Sequence, residues 1–277
     1  MSDIASGALT PIEEPRGSSL EIPSLRSLRR FASVAGILIV WQAASMAGLL
    51  SPRLIAAPAT IVASFAELVA NGTLQHHVLV SLARVLAGLA IGVGLGTGFA
   101  LAAGLSRSGE DAVDAPLQML RTLPHLALVP LFILWFGIGE TPKIALVALG
   151  ALFPVYLNLF AGIRGVDVKL LEAARSFGLG RAAVIRHVVL PGALPSALTG
   201  LRYAIGVAWL SLVVGEQINA DAGIGYMMMD AREFLRTDII MVGLAVYALL
   251  GLGADQLVRG IERVALAWRP SVLGASA

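Results

Sequence analysis

The side chains able to do acid–base, nucleophilic or metal chemistry are few in this 277-residue sequence, and poorly spaced for all three. With no cysteine, disulfides, thiolate metal sites and a cysteine nucleophile are excluded. Of the four histidines, His76 and His77 are adjacent, a spacing that turns them to different faces of a helix, while His125 and His187 stand alone. No Ser/His/Asp or His/Glu constellation is evident, so neither a metal site nor an enzyme is expected. Gly88, Gly92 and Gly96 recur every four residues, but without the preceding strand or following lysine of a phosphate loop. They make a face where another helix can approach closely, so no cofactor is expected in this chain. The compact set with directed chemistry is Glu172-Ala173-Ala174 with Gly178. It combines a carboxylate able to accept charge-assisted hydrogen bonds, two small side chains and a glycine able to turn the chain.

The elements that must position this set lie in a membrane. Hydrophobic residues make up 57% of the chain and charged residues 14%, against about 25% charged in soluble proteins. The small net charge of +2 does not suggest a nucleic-acid surface. About 20 apolar residues are needed to cross the hydrocarbon core as a helix. Such runs predict six spans, at about 31–50, 82–105, 117–139, 143–163, 193–218 and 239–258. Residues 1–24 read as a mobile tail, 25–268 as one transmembrane domain and 269–277 as a second tail; no cleaved signal peptide is expected. Pro58 to Gly72 has a helical apolar stripe too short to span, and is expected to lie along the external surface.

The basic residues orient the spans. One set of connections holds Arg16, Arg26, Arg29, Arg30, Arg107, Arg121, Arg164, Lys169, Arg175, Arg181, Arg186, Arg259, Arg263 and Arg269. The opposite set holds only Arg53, Lys143, Arg232 and Arg236. Positive residues accumulate on the cytoplasmic side, so both termini and the 164–191 connection are expected there.

That connection is long for a mere link and should have its own structure. Asp167 can cap a helix on which Leu170, Ala174 and Phe177 form an apolar stripe, and Gly178 can end it. A second helix from Arg181 should stop near Val188, before Leu190-Pro191. The exposed ridge fits either docking to a partner or lying in the lipid interface.

The run Glu172-Ala173-Ala174-x3-Gly178-x9-Val188-x-Leu190-Pro191 resembles the EAA loop of permeases of ATP-binding-cassette importers, with Val188 where isoleucine is common. The stretch Leu123-Pro124-His125 through Pro130 to Ile138, with Gly223-Ile224-Gly225-Tyr226 and Asp230-Ala231-Arg232-Glu233-Phe234, is similar to the aliphatic sulfonate permease group, near those for taurine and nitrate. The resemblance runs from about Phe31 to Trp268. It implies the type I importer permease fold in the cell inner membrane and a homodimer of this chain. It further implies two ATPase subunits that bind ATP and Mg, and an external binding protein that delivers substrate. The coupling role would fall on Glu172, Ala173, Ala174 and Gly178, with Leu190 and Pro191 closing the motif.

Within the spans, Pro124, His125 and Pro130 mark a segment whose kinks either line a pathway or serve packing. Arg84 and Arg202 are the basic side chains at or inside spans; each either faces the path of an anion or snorkels to the interface. Glu216 has the wrong sign for an anionic cargo and should pair within the bundle or cap the external loop. An ion-coupled carrier would be expected to show paired halves or several buried ionisable groups, and no such repeat is seen.

Overall fold

The computed structural model describes residues 25–218 and 220–268, all helical or connecting. The two expected tails, 1–24 and 269–277, lie outside the described residues. In chain order the helices are α1 (Leu25–Met46), α2 (Pro58–Ala70), α3 (Thr73–Leu105), α4 (Arg107–Leu120), a 3-10 turn (His125–Leu128) and α5 (Val129–Phe136). Then come α6 (Glu140–Arg164), α7 (Val168–Ser176), α8 (Arg181–Val184), a π turn (Ile185–Val189), α9 (Leu190–Ile218), α10 (Ile224–Glu233) and α11 (Thr237–Ala265).

Helix α6 is the centre, packed between α3 and α9, and Val147, Ala151 and Tyr156 along it are fully buried. Lipid tails are as apolar as leucine, so such helices associate by close packing rather than by expulsion of water. The glycine face of α3 supplies it. A Cβ built on Gly92 would stand 2.4 Å from the carbonyl oxygen of Ala148, and one on Gly96 2.7 Å from that of Leu152, whereas Gly94 and Gly98 face open space. Gly200 of α9 approaches α6 as closely from the other side, 2.9 Å from the Pro154 carbonyl oxygen by the same construction.

Among the described residues, four helical stretches are long and apolar enough to cross a membrane: α3, α6, the continuous run Arg181–Ile218, and α11. Two expected spans differ. The first ends at Met46 rather than Leu50, because Gly48 adopts φ +73 and the Leu49 N–H turns back to the Ala44 carbonyl, a left-handed helix stop. The third, expected at 117–139, is a broken pair in which α4 and the 125–136 segment meet at 83°. Pro124 precedes the 3-10 turn and Pro130 sits in the first turn of α5, where its missing N–H leaves no bond unmade. At eight residues, or about 12 Å, α5 cannot cross alone.

The amphipathic α2 packs on the start of α11: Ser64 Oγ donates to Asp238 at 2.6 Å, and Leu68 joins Ile224, Met228 and Val242 in a buried cluster. Met227 packs in the same cluster.

Candidate functional site

The connection after α6 folds as the cap residues dictate. The Asp167 side chain accepts from the Lys169 N–H at 2.9 Å and starts α7, and Gly178 at φ +80 ends it, with the Leu179 N–H reaching the Ala174 carbonyl. The apolar stripe divides. Ala174, expected on the exposed ridge, is 8% exposed and packs with Leu159, Ile163 and Val184, while Phe177 is 84% exposed. At 100° per residue the ridge left on the outside is Leu170, Ala173 and Phe177, all exposed. The Glu172 carboxylate is exposed and has no partner within the described chain.

The expected stop before Leu190-Pro191 does not occur, and the helix runs unbroken from Arg181 to Ile218. A proline ring normally collides with the carbonyl four residues earlier, here that of His187. His187 lies inside the π turn, whose wider coil carries the chain past Pro191. The loop is therefore joined directly to the α9 span.

The bent segment brings His125 against the core. Its Nε2 lies 3.0 Å from Ser211 Oγ on α9, and that hydroxyl donates its hydrogen to the Val207 carbonyl at 2.8 Å. Gly150 of α6 leaves room for the pair, since a Cβ there would stand 2.6 Å from Ser211 Oγ. Pro124 and Pro130 are exposed, and so are Leu134, Trp135, Phe136 and Ile138 beyond them.

The two basic side chains of the spans are ion-paired within the fold. Arg202 bridges α9 to α11 by hydrogen bonding Glu262, and its Nε lies 3.4 Å from Asp255. Arg84, 3% exposed, is held by two carboxylates: Nε and Nη2 donate to Glu140 at 2.5 and 2.6 Å, and Nη1 donates to Glu216 at 2.7 Å and to the Ala222 carbonyl at 2.6 Å. Lys143, assigned above to a loop, is buried and reaches Glu140 at 3.2 Å. Two cations and two anions thus balance in one cluster.

Glu216 also joins the cluster to α10. It accepts from Ser81 Oγ, from Tyr247 Oη at 3.1 Å and from the Gly225 N–H at 2.9 Å. Ser81 Oγ accepts from the Ile224 N–H and His77 Nδ1 from the Gly223 N–H. The first N–H groups of α10, which no helix satisfies internally, are taken by side chains of α3 and α9. Glu216 therefore fills both expected roles, pairing in the bundle and capping the loop. Glu140, Lys143, Ser81 and Tyr247 were not identified from the sequence. The available signal was charge balance, since Arg84 and Glu216 in apolar surroundings both require partners. No group of three or more metal-ligating side chains occurs among the described residues.

The sequence profile of the binding-protein-dependent transport system inner membrane component family matches residues 92–264. The chain is 51% identical over 236 residues to the aliphatic sulfonates transport permease protein SsuC of Escherichia coli, covering 85% of this chain and 90% of that one. It is 47% identical over 240 residues to the Bacillus subtilis protein of the same name, covering 87% of each, and 36% identical over 245 residues to the taurine transport system permease protein TauC of Escherichia coli, covering 87% and 89%. Among solved structures, an amino acid ABC transporter superposes with a TM-score of 0.55 at 21% identity, covering 68% of this chain and 91% of that one. An inward-facing MetNI methionine ABC transporter gives 0.53 at 18%, covering 65% and 92%; these two likenesses are of fold.

Proposed function

The chain belongs to the family of binding-protein-dependent transport system inner membrane components, and on that premise we propose that it is the permease subunit of an ATP-driven importer of aliphatic sulfonates. The observation that carries the mechanism is the outward ridge of α7 beside the unpartnered Glu172, which a short turn at Gly178–Gly180 connects to the unbroken helix Arg181–Ile218 that contains the α9 span. The cargo class rests on the names of the two relatives that are about half identical.

In this reading α1 and the broken α4–α5 pair complete six spans, both termini are cytoplasmic, and the protein sits in the inner membrane. The basic residues gathered around 164–191 support that orientation. Two copies form the pathway and two ATPase subunits hold ATP and Mg, because closure of a pair of ATPases needs two docking loops and one chain has one. An external binding protein delivers cargo to the opposite end. Glu172 pairs with a partner's arginine, Ala173 allows close approach, Ala174 and Gly178 set the angle of α7, and the continuous helix through Leu190-Pro191 passes its movement along α9.

Pro124, His125 and Pro130 line the pathway, where non-helical backbone is tolerated because it borders a cavity or protein. Arg84 and Arg202, occupied by carboxylates, brace its walls.

The test is co-purification in mild detergent with the cognate ATPase, with and without Glu172→Arg. The expected result is lost assembly and lost substrate-stimulated ATP hydrolysis in the variant. Retained coupling would overturn the docking assignment. For cargo, deletion should abolish sulfur-limited growth on alkanesulfonates; unimpaired growth on all of them, with loss on taurine alone, would favour the taurine reading.

A further inference from the structure

Behind α7 lies a cavity of about 420 Å³, separate from the docking ridge. Its walls include Leu105 at the end of α3, Ile163 at the end of α6 and Val184 of α8; Arg164, Arg175 and Arg181 also line it, and no acidic residue does. The three arginines differ in availability. Arg164 is paired with Glu110, and Arg181 gives one N–H to the Leu105 carbonyl at 3.1 Å, which fixes its stem and leaves its other donors free. The Arg175 side chain has no partner within the described chain.

Depth identifies the occupant. Helices α3 and α6 both end at this cavity, which in the orientation proposed above lies on the cytoplasmic side among the basic residues of the 164–191 connection, within reach of a headgroup layer. Neither Glu172, Ala173 nor Phe177 lines it, so the cavity and the ridge are on different faces of α7. An apolar wall beneath a rim of excess positive charge matches a ligand with a phosphate above an acyl chain, and basic pockets between spans take such headgroups. We propose that this cavity binds the headgroup of an anionic phospholipid, wedged between α7 and the span ends so that lipid charge sets the position of the coupling helix. The inference rests on the proposed role of α7 for its consequence, but the binding itself does not.

The permease, with and without its ATPase subunits, would be assembled in nanodiscs of phosphatidylglycerol and phosphatidylcholine in equal amounts and released into detergent with or without excess inorganic phosphate, and the retained lipid counted by native mass spectrometry. The wild type should retain phosphatidylglycerol preferentially, and the preference should fall about fivefold for each arginine removed in R175Q/R181Q. R175K/R181K should keep most of it, and R186Q, outside the cavity, all of it. An unselective wild type, an unchanged R175Q/R181Q, displacement by excess inorganic phosphate, or a preference that vanishes once the ATPase is bound would each overturn the proposal. ATPase co-purification is read in the same samples: its absence alongside an intact lipid preference would count against the coupling role of α7 and leave the lipid site standing.

Discussion

Arg84 of α3 and Glu216 of α9 form an ion pair at 2.7 Å in which the side chains are 3% and 0% exposed, beside the N-terminus of α10. Removing one member of such a pair leaves an uncompensated buried charge, which costs about 3–5 kcal/mol. Arg84→Met should therefore lower stability by that order, and Glu216→Gln should do so while also weakening the cap on Gly225. The Arg84→Met/Glu216→Gln double variant should lose less than the sum of the singles. Thermal unfolding of the purified protein in detergent, analysed as a double-mutant cycle, measures this; additive losses would show that the pair is not coupled.

The glycine face of α3 should discriminate sharply between neighbours. Gly92→Ala forces a methyl group to within 2.4 Å of the Ala148 carbonyl oxygen, an overpacking worth about 1–3 kcal/mol. Gly94→Ala and Gly98→Ala meet nothing and should be neutral or stabilising by up to about 1 kcal/mol. Melting temperatures of the three variants settle it.

At the end of α7 the penalty should come from backbone conformation alone. Gly178 has φ +80 with open space around its Cβ position, so Gly178→Ala costs about 1–2 kcal/mol of local strain. The nearby Gly180, also in open space, has φ −68 and should tolerate alanine. ATPase co-purification should fall for Gly178→Ala and hold for Gly180→Ala.

The His125–Ser211 contact fastens the bent segment to α9. Ser211→Ala removes a hydrogen bond of about 0.5–1.5 kcal/mol net and frees the 125–136 stretch to move. Because the chain has no cysteine, a single Leu134→Cys reports on that stretch. Its labelling by a membrane-permeant maleimide should quicken in the Ser211→Ala background, and an unchanged rate would remove the fastening role.

The spans at α3, α6, α9 and α11 were legible because an apolar run of crossing length is a property of the sequence itself. The Asp167 and Gly178 caps of α7 were legible for a similar reason: each acts within a few residues. What escaped depends on neighbours distant in sequence or on a local change of helix type. Lys143 reads as a loop charge until α6 begins at Glu140 and draws it into the Arg84 cluster. Pro191 reads as a stop unless the π turn before it is known. Ala174 lies on the α7 stripe by period, and only its packing against α6 and α8 shows that it points inward.

The glycine seam between α3 and α6 limits how the molecule can deform. Carbonyl oxygens of α6 protrude into the notches left by Gly92 and Gly96, so sliding one helix along the other would drive backbone into backbone. The 33 residues of α3 extend about 50 Å, well beyond the hydrocarbon core. With α6 keyed to it, the pair behaves as a rigid strut carrying the Arg84 cluster near one end and the arginine-rimmed cavity at the other. A rearrangement that leaves this seam intact has to bend elsewhere, and both the Gly137–Gly139 joint, where the two glycines hold positive φ, and the π turn lie outside it.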